Sequence, residues 1–397
     1  MKKIKIPLIW KVLAACVLGS LIGPVFPVPA IRIFTTFNYI FSQYIGFMVP
    51  LIIVGLVTPA ICKMGSSAGK LLLFTIVLAY FSSIIAGMFS YGVSSCVFPA
   101  LLGDLQMDVS NSNAEGIAPF FTIDIPALMN VTSALVFSFL VGILLTSTGK
   151  GYFKNVAYDF EEVVTKAISK TLIPLLPIYI FGIFLKMSYS GEMLPVMKVF
   201  AKIILVIFVM SIVWLVVLFC IAGLISRKNP IKSLVSMIPA YLTALGTSSS
   251  AATIPVTLSS AQKCGAGETV SKFTVPLCAT IHMPGSMMKI TACAITIMML
   301  HGMDFSFPLM LRFIMIVAIT AVAAPGVPGG VIMASLGVLA SVLGFNDADQ
   351  ALMITLYIVM DSFGTACNVT ADGAIALIVD SVFSSDNLFR NGSQNLL

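Results

Sequence analysis

The sequence predicts an all-α integral membrane protein with eight transmembrane helices and two re-entrant helical hairpins. Of its 397 residues, 59% are hydrophobic and only 10% are charged, and the mean hydropathy is +1.06. A chain of this composition cannot cover itself with a surface that suits water, so most of it must face lipid or other apolar segments. The lipid bilayer is therefore its first expected partner.

Eight uninterrupted apolar runs predict the membrane-spanning helices. A helix rises about 1.5 Å per residue, so about 20 apolar residues cross a hydrocarbon core of roughly 30 Å. The runs lie at residues 8–28, 36–62, 71–101, 128–148, 171–188, 197–226, 273–301 and 350–383.

Two further apolar runs, near 231–265 and 307–345, are interrupted at their centres. The interruptions read G-T-S-S-S-A-A-T-I-P and A-P-G-V-P-G-G. Each arm is about half a membrane long, which predicts a helix that turns back to the side from which it came. Two ordinary kinked spans are the alternative. Backbone freed by prolines and glycines at that depth has to line a cavity, because lipid offers it no hydrogen bonds.

Basic residues predict the orientation, because short cytoplasmic loops are rich in lysine and arginine. The segment 103–124 has four acidic residues and no basic ones, as expected of an outer loop. We therefore expect both termini in the cytoplasm. The net charge of +6 follows from this bias and indicates no nucleic-acid partner. The basic residues that define the inner loops are Lys2, Lys3, Lys5, Lys63, Lys70, Lys150, Lys154, Arg227, Lys228 and Lys232.

A polar cluster, D-S-F-G-T-A-C-N-V-T-A-D, interrupts the last apolar run between Asp361 and Asp372. At about 100° per residue, Asp361, Thr365, Asn368 and Asp372 share one helical face, with Gly364 at its edge. Carboxylates in lipid are costly, so this face must meet protein, water, a cation or a positively charged ligand. A purely structural polar seam between helices is the alternative.

These motifs together resemble the dicarboxylate/amino acid:cation symporter family, the glutamate transporter homologues. The resemblance covers nearly the whole chain: eight spans, a serine-rich hairpin ending in T-I-P, an interrupted seventh span, a Gly/Pro-rich hairpin and D-x-x-x-T-x-x-N-x-x-x-D. The segment S-S-A-A-T-I-P from Ser249 to Pro255 is most similar to the sodium/serine-threonine symporter branch.

The resemblance implies the elevator fold of the glutamate transporter homologues, assembled as a homotrimer in a bacterial inner membrane. Residues 1–70 and 125–192 would form the scaffold and trimerisation domain. Residues 71–124 and 193–397 would form the mobile transport domain, which carries both hairpins.

The resemblance also implies roles for individual residues. Asp361 would receive the substrate's α-ammonium group, while Asn368 and Ser250 would hold its α-carboxylate. Further substrate contacts are expected at the hairpin tips and on the last span, at Ser249, Gly364, Thr365, Gly326, Val327 and Pro328.

Three departures from the family pattern modify this expectation. Gly364 stands where members with acidic substrates carry an arginine, which leaves no guanidinium for a second carboxylate. His282 and Pro284 lie where relatives have asparagine and aspartate, so at least one sodium site loses its oxygen ligands. Asn368 and Asp372 remain candidate Na⁺ ligands, and His282 is either a hydrogen-bonded interior histidine or a titrating one.

Lys289 is the third departure, since a lysine within an apolar run is costly unless it is paired or neutralised. It lies seven residues after His282, a spacing that places both on one face of a continuous helix. Lys289 forms an internal ion pair with Asp361 or Asp372, replaces a bound cation, or meets an acidic substrate in place of the missing arginine.

The sequence therefore predicts a secondary active symporter that imports a small neutral amino acid such as serine, threonine or alanine. The expected coupling ion is Na⁺, with reduced stoichiometry, and no other cofactor is expected. The alternatives are proton coupling through His282 or Lys289, an acidic substrate bound through Lys289, and a channel. An intramembrane aspartyl protease is disfavoured, because Asp361 and Asp372 lie about 16 Å apart along one helix, so no enzymatic activity is expected.

Overall fold

The computed structural model describes residues 8–64, 69–102, 117–129, 131–147, 151–191, 193–322, 324 and 329–385. Within these ranges the chain forms sixteen α-helices and no strand, so the all-α prediction is confirmed. The first seven helices are α1 (Leu8–Ile22), α2 (Val28–Met64), α3 (Gly69–Leu102), α4 (Val131–Ser147), α5 (Tyr152–Ala167), α6 (Ile173–Tyr189) and α7 (Met193–Ser226). The others are α8 (Pro230–Ser236), α9 (Ile238–Thr247), α10 (Ser250–Cys264), α11 (Glu268–Ile281), α12 (Pro284–Leu300), α13 (Phe307–Val322), α14 (Gly330–Leu343), α15 (Asp347–Val359) and α16 (Asp361–Ser385).

Six helical segments are long and apolar enough to cross a membrane within the described ranges. They are Val28–Pro59, Lys70–Leu101, Tyr152–Tyr189, Val199–Ser226, Glu268–Leu300 and Asp361–Phe383. The helices α1 and α4, which fall on two of the predicted spans, are shorter apolar helices. A multi-span membrane protein is therefore shown, whereas the number of eight spans remains a prediction.

The helix that contains α5 and α6 begins well before the predicted run at 171–188. A π-helical turn at residues 168–172 joins the two, so that helical structure continues from Tyr152 to Tyr189. The α5 portion is amphipathic and carries charged residues on its outer face. A search for apolar runs therefore missed it, although an amphipathic period also predicts a helix.

The serine-rich interruption forms a tight turn between α9 and α10, which pack against one another. Ser248 ends α9 with a left-handed backbone (φ 49°), and Ser249 caps α10 by accepting a hydrogen bond from the Ala252 N–H at 3.3 Å. The second interrupted run forms α13 and α14, which also pack together. Its tip, including Gly326, Val327 and Pro328, lies outside the described residues.

Two helices of the core are broken at the polar residues. The seventh predicted span divides into α11 and α12 at His282 and Met283, with Pro284 at the first position of α12, where its missing N–H costs nothing. The last predicted span, 350–383, divides into two helices at Met360. The polar cluster thus begins at the N-terminus of α16 rather than in the middle of a helix.

The buried centre of the fold is α12 and α16. The helices α7, α9, α10 and α11 pack around α16, whereas α1 and α2 pack against α6 and α4. The outer helices expose large apolar side chains, as lipid-facing helices do: Leu73, Phe81, Val136, Leu140, Leu205 and Leu224. The proposed division into scaffold and transport domains agrees with this grouping and remains a prediction.

The close crossing of α1 and α6 provides a test of the packing. A Cβ atom on Gly19 of α1 would lie 2.8 Å from the Phe181 carbonyl oxygen and 3.0 Å from the Phe184 Cβ of α6. Gly19→Val should therefore force α1 and α6 apart and lower the free energy of unfolding by about 1–3 kcal/mol. Thermal unfolding of the detergent-solubilised protein measures this. Gly46→Val is the matched control, because a Cβ at Gly46 meets nothing within 4 Å; equal loss in both variants would contradict the crossing.

Candidate functional site

One cavity collects five of the residues that the sequence singled out. It leaves about 30 Å³ for the centres of water-sized molecules, far below the roughly 300–1,000 Å³ of typical ligand pockets, so an amino acid enters only if the walls move. The predicted residues Ser249, Ser250, Asp361, Thr365 and Asn368 all line it. The other lining residues are Ser248, Ala279, Met283, Ser286, Gly329, Gly330, Val331 and Tyr357.

Asp361 begins α16 and has both carboxylate oxygens occupied by the protein itself. Its Oδ1 accepts a hydrogen bond from the Lys289 ammonium group at 3.2 Å. Its Oδ2 accepts one from the Gly329 N–H at 3.0 Å. Gly329 follows directly on the second hairpin tip, so this carboxylate links the end of that tip to the centre of the fold.

Lys289 of α12 is fully buried, and its partners belong to two other helices and the break between them. Besides Asp361, its Nζ lies 3.7 Å from the centre of the Tyr357 ring and 3.5 Å from the Met360 carbonyl oxygen. Of the alternatives that the sequence left open, the internal ion pair with Asp361 is the one present in the structure.

Gly364 is the residue along which the lysine side chain passes. A Cβ atom at Gly364 would overlap with Cε of Lys289 and would lie 2.5 Å from its Nζ. Any larger residue at position 364 would therefore displace the lysine from Asp361. Lys289 fills the space that an arginine side chain at position 364 would need, so this arrangement of the lysine requires a glycine there.

Asn368 holds α16 against the broken seventh span. Its Oδ1 accepts hydrogen bonds from the backbone N–H groups of Gly285 (2.8 Å) and Ser286 (3.3 Å). Its Nδ2 donates to the Ser286 Oγ at 3.2 Å, and Tyr357 Oη donates to the same oxygen at 2.9 Å. The amide oxygen, one of the candidate Na⁺ ligands, thus binds the start of α12 in this arrangement.

His282 and Asp372 form a second buried pair, further along α16. His282 Nδ1 lies 2.9 Å from the Asp372 Oδ1, and Nε2 lies 2.9 Å from the Ser82 Oγ of α3. With an ionised Asp372, Nδ1–H donates to the carboxylate and Nε2 accepts from the serine hydroxyl. The Asp372 Oδ2 is buried and has no hydrogen-bond partner among the described residues.

His282 and Lys289 therefore do not share the face that their spacing predicted. The break at His282 and Met283 ends one helix before the next begins, and 100° per residue does not hold across such a break. His282 points to Asp372, whereas Lys289 points to Asp361.

Three partners of the site were not predicted from the sequence: Ser82, Ser286 and Tyr357. Tyr357 lies four residues before Asp361, but the break at Met360 separates the two, so the helical period of the polar cluster does not predict it. Ser286 lies within the interruption of the seventh span, but Ser82 belongs to an ordinary apolar run and carries no signal of its own.

The geometry suits a zwitterion. Asp361 offers a carboxylate to the cationic group of a ligand. The N-terminus of α10, together with serine, threonine and amide groups, offers hydrogen-bond donors to its anionic group. The site is enclosed by helix ends and hairpin segments at the buried centre of a membrane protein, which is where transporters hold their substrates.

Comparison with known proteins agrees with this architecture. A sequence model of the sodium:dicarboxylate symporter family matches residues 8–382. The chain is 27% identical over 398 residues to a serine/threonine transporter, SstT, of Acinetobacter baumannii (strain AYE), covering 95% of this chain and 97% of the relative. The corresponding protein of Acinetobacter baylyi is 25% identical, over 95% and 98% of the two chains. An excitatory amino acid transporter of Caenorhabditis elegans is 28% identical over 257 residues, covering 63% of this chain and 50% of the relative. The chain therefore belongs to the sodium:dicarboxylate symporter family and is a multi-pass membrane transporter, not an enzyme.

Proposed function

We propose that the protein is a secondary active symporter that imports a small neutral amino acid, such as serine, threonine or alanine, together with sodium. The observation that carries this proposal is the cavity in which Asp361, Thr365 and Asn368 face the serines of the first hairpin. The printed names of the relatives, which include serine/threonine transporters, support the same substrate class.

Each end of an amino acid has a partner of suitable chemistry in this cavity. Asp361 receives the α-ammonium group, Asn368 and Ser250 hold the α-carboxylate, and Ser249, Gly364 and Thr365 border the side chain. Gly326, Val327 and Pro328 close over the substrate from the second hairpin. Gly364 leaves the side-chain region without a guanidinium group at this position for a second carboxylate.

The transport cycle follows from the domain division. The segments 1–70 and 125–192 form a fixed scaffold at the centre of a homotrimer, and the segments 71–124 and 193–397 slide across the membrane with the substrate enclosed. A cavity lined by segments of both hairpins and by the start of α16 favours this elevator movement over a channel, which needs a continuous aqueous path. The bacterial relatives support a place in the inner membrane, with both termini in the cytoplasm.

Sodium coupling uses fewer ions than the complete motif of the family would bind. Asp372 keeps one carboxylate oxygen without a partner, and Asn368 lies one turn before it on α16. These two residues supply the oxygen chemistry that a hard cation requires. The buried ammonium of Lys289 repels a second cation nearby.

An acidic substrate is the second candidate, and one observation favours it. The Lys289 ammonium lies at the wall of the cavity, at 3.2 Å from Asp361, where it offers a charge-assisted hydrogen bond to a carboxylate that displaces this aspartate. Proton coupling through His282 is a further variant, because this imidazole is held between Asp372 and Ser82.

The substrate assignment is tested by ligand binding to the purified protein. We expect serine, threonine or alanine to bind, and Asp361→Asn to weaken binding about 100-fold, since loss of one partner of a buried charge pair costs about 2–5 kcal/mol. Calorimetry or tryptophan fluorescence measures the affinity. Asp347→Asn, at an exposed aspartate, is the control and should bind normally. Succinate bound as tightly as any amino acid would refute the assignment.

The oligomeric state is tested by mass measurement in mild detergent or in lipid nanodiscs. Native mass spectrometry and crosslinking should give three copies of the 42.3 kDa chain. A monomer that persists in nanodiscs and carries substrate would exclude the trimer.

The coupling stoichiometry is tested in proteoliposomes. Uptake should rise with sodium along a curve with a Hill coefficient of about 1, because the coefficient does not exceed the number of interacting sites. His282→Asn, which restores an amide oxygen beside Asp372, should steepen this curve, and the control His301→Asn should leave it unchanged. Steep, multi-ion dependence in the unaltered protein would contradict reduced stoichiometry. Proton-driven uptake without sodium that neither His282→Asn nor Lys289→Met alters would exclude both residues from coupling.

A further inference from the structure

We propose that Lys289 is a tethered counter-cation for Asp361. Its ammonium group occupies the carboxylate whenever the substrate's ammonium group does not, so the empty carrier returns across the membrane without a cation from the opposite solution. This inference rests on the proposed function in one respect, namely that Asp361 receives the ammonium group of the substrate.

The first support is the way in which Asp361 is satisfied. Lys289 Nζ lies 3.2 Å from Oδ1, and the Gly329 N–H lies 3.0 Å from Oδ2, with all three groups buried. The lysine thus supplies to Asp361 the same chemical group, an ammonium, that an amino acid would bring. Substrate and lysine are alternative partners of one carboxylate.

The second support is the cost of leaving Asp361 alone. A carboxylate that stays ionised while it crosses the hydrocarbon core is energetically costly. A carrier that has released its substrate carries this charge back unless something neutralises it. Lys289 is part of α12, which packs directly against α16. It therefore moves together with Asp361 and stays within reach of its carboxylate.

The third support is that the lysine has somewhere to go when substrate arrives. Its Nζ already lies 3.7 Å from the Tyr357 ring centre and 3.5 Å from the Met360 carbonyl oxygen. A cation over an aromatic ring is attracted to it, and more strongly when it is desolvated. These two contacts hold the ammonium group while Asp361 turns to the substrate, whose own carboxylate keeps the cavity neutral.

The fourth support is the fit between Lys289 and Gly364. The side chain of Lys289 uses the space where a Cβ of residue 364 would lie, with 2.9 Å from that position to its Cδ and 2.5 Å to its Nζ. Position 364 can therefore be used to move the lysine without removing its charge. This gives two independent variants: Lys289→Met, which removes the ammonium group, and Gly364→Ala, which displaces it.

The experiment compares net uptake with exchange in proteoliposomes, using a radiolabelled amino acid that the unaltered protein carries. Net uptake requires the empty carrier to return, whereas exchange of internal for external substrate does not. The unaltered protein should show net uptake without potassium, ammonium or another small cation added on the opposite side. If its net uptake requires such a cation, the proposal is wrong, whatever the variants do.

Lys289→Met should keep exchange within about threefold of the unaltered protein and lose net uptake at least tenfold. A tenfold loss corresponds to about 1.4 kcal/mol. This is less than the free energy needed to carry one ionised carboxylate across the hydrocarbon core. Methylammonium on the opposite side should restore net uptake, because it replaces the missing ammonium at Asp361. Gly364→Ala should lower the ratio of net uptake to exchange less strongly, and only this ratio is compared, because Gly364 also borders the proposed substrate site.

The controls are Lys272→Met and Gly92→Ala. Lys272 is an exposed lysine paired with Glu268 at 2.6 Å, and a Cβ at Gly92 meets nothing within 4 Å. Both variants should keep the ratio of net uptake to exchange unchanged.

Each other outcome overturns the inference. If Lys289→Met is folded, as judged by size-exclusion chromatography, and loses exchange and net uptake equally, Lys289 has only a structural role. If net uptake survives undiminished, no counter-cation is needed. If Lys289→Met does not fold, net uptake and exchange are compared in the unaltered protein and in Gly364→Ala, and these two proteins decide whether the inference holds. A protein that carries no amino acid at all refutes the proposed function instead.

Discussion

The buried ion pair between Lys289 and Asp361 is the constraint on which the centre of the structure depends. Neither charge is tolerable alone at this depth, and the attraction within the pair offsets the loss of water only when the geometry is good and the remaining hydrogen bonds are made. The structure meets both conditions with the N–H of Gly329 and the ring of Tyr357. The pair therefore fixes how α12, α15 and α16 and the start of α14 meet.

Two glycines, Gly285 and Gly364, allow α12 and α16 to approach closely. A Cβ on Gly285 would lie 2.5 Å from the Gly364 carbonyl oxygen and 2.8 Å from the Cβ of Cys367. The two glycines thus let the start of α12 contact the backbone of α16, where Asn368 accepts two backbone N–H groups. Close packing of this kind is how helices associate in membranes, where lipid is as apolar as the helices themselves.

The sequence predicted the all-α fold class and both interrupted runs from local composition, and the helical period placed Asp361, Thr365 and Asn368 on one face. The resemblance to the symporter family added Ser249 and Ser250 to the cavity. The sequence did not predict the break at Met360, because no proline or glycine lies within three residues of it. It also did not predict Ser82 and Ser286, whose roles come from residues about 200 and 80 positions away along the chain. The choice between Asp361 and Asp372 as the partner of Lys289 needed the same long-range information.

The two buried ion pairs, Lys289–Asp361 and His282–Asp372, share one helix and one broken segment. Both aspartates belong to α16, and each meets a partner beside a helix interruption, Lys289 next to Met360 and His282 at the start of the break before α12. Asn368 lies between the aspartates and binds the backbone that follows His282. A substrate that draws Asp361 away from Lys289 acts on the same helix face and on the same broken segment that hold Asp372. This shared support is a contiguous physical route by which occupancy of the substrate site and of a cation site can be coupled.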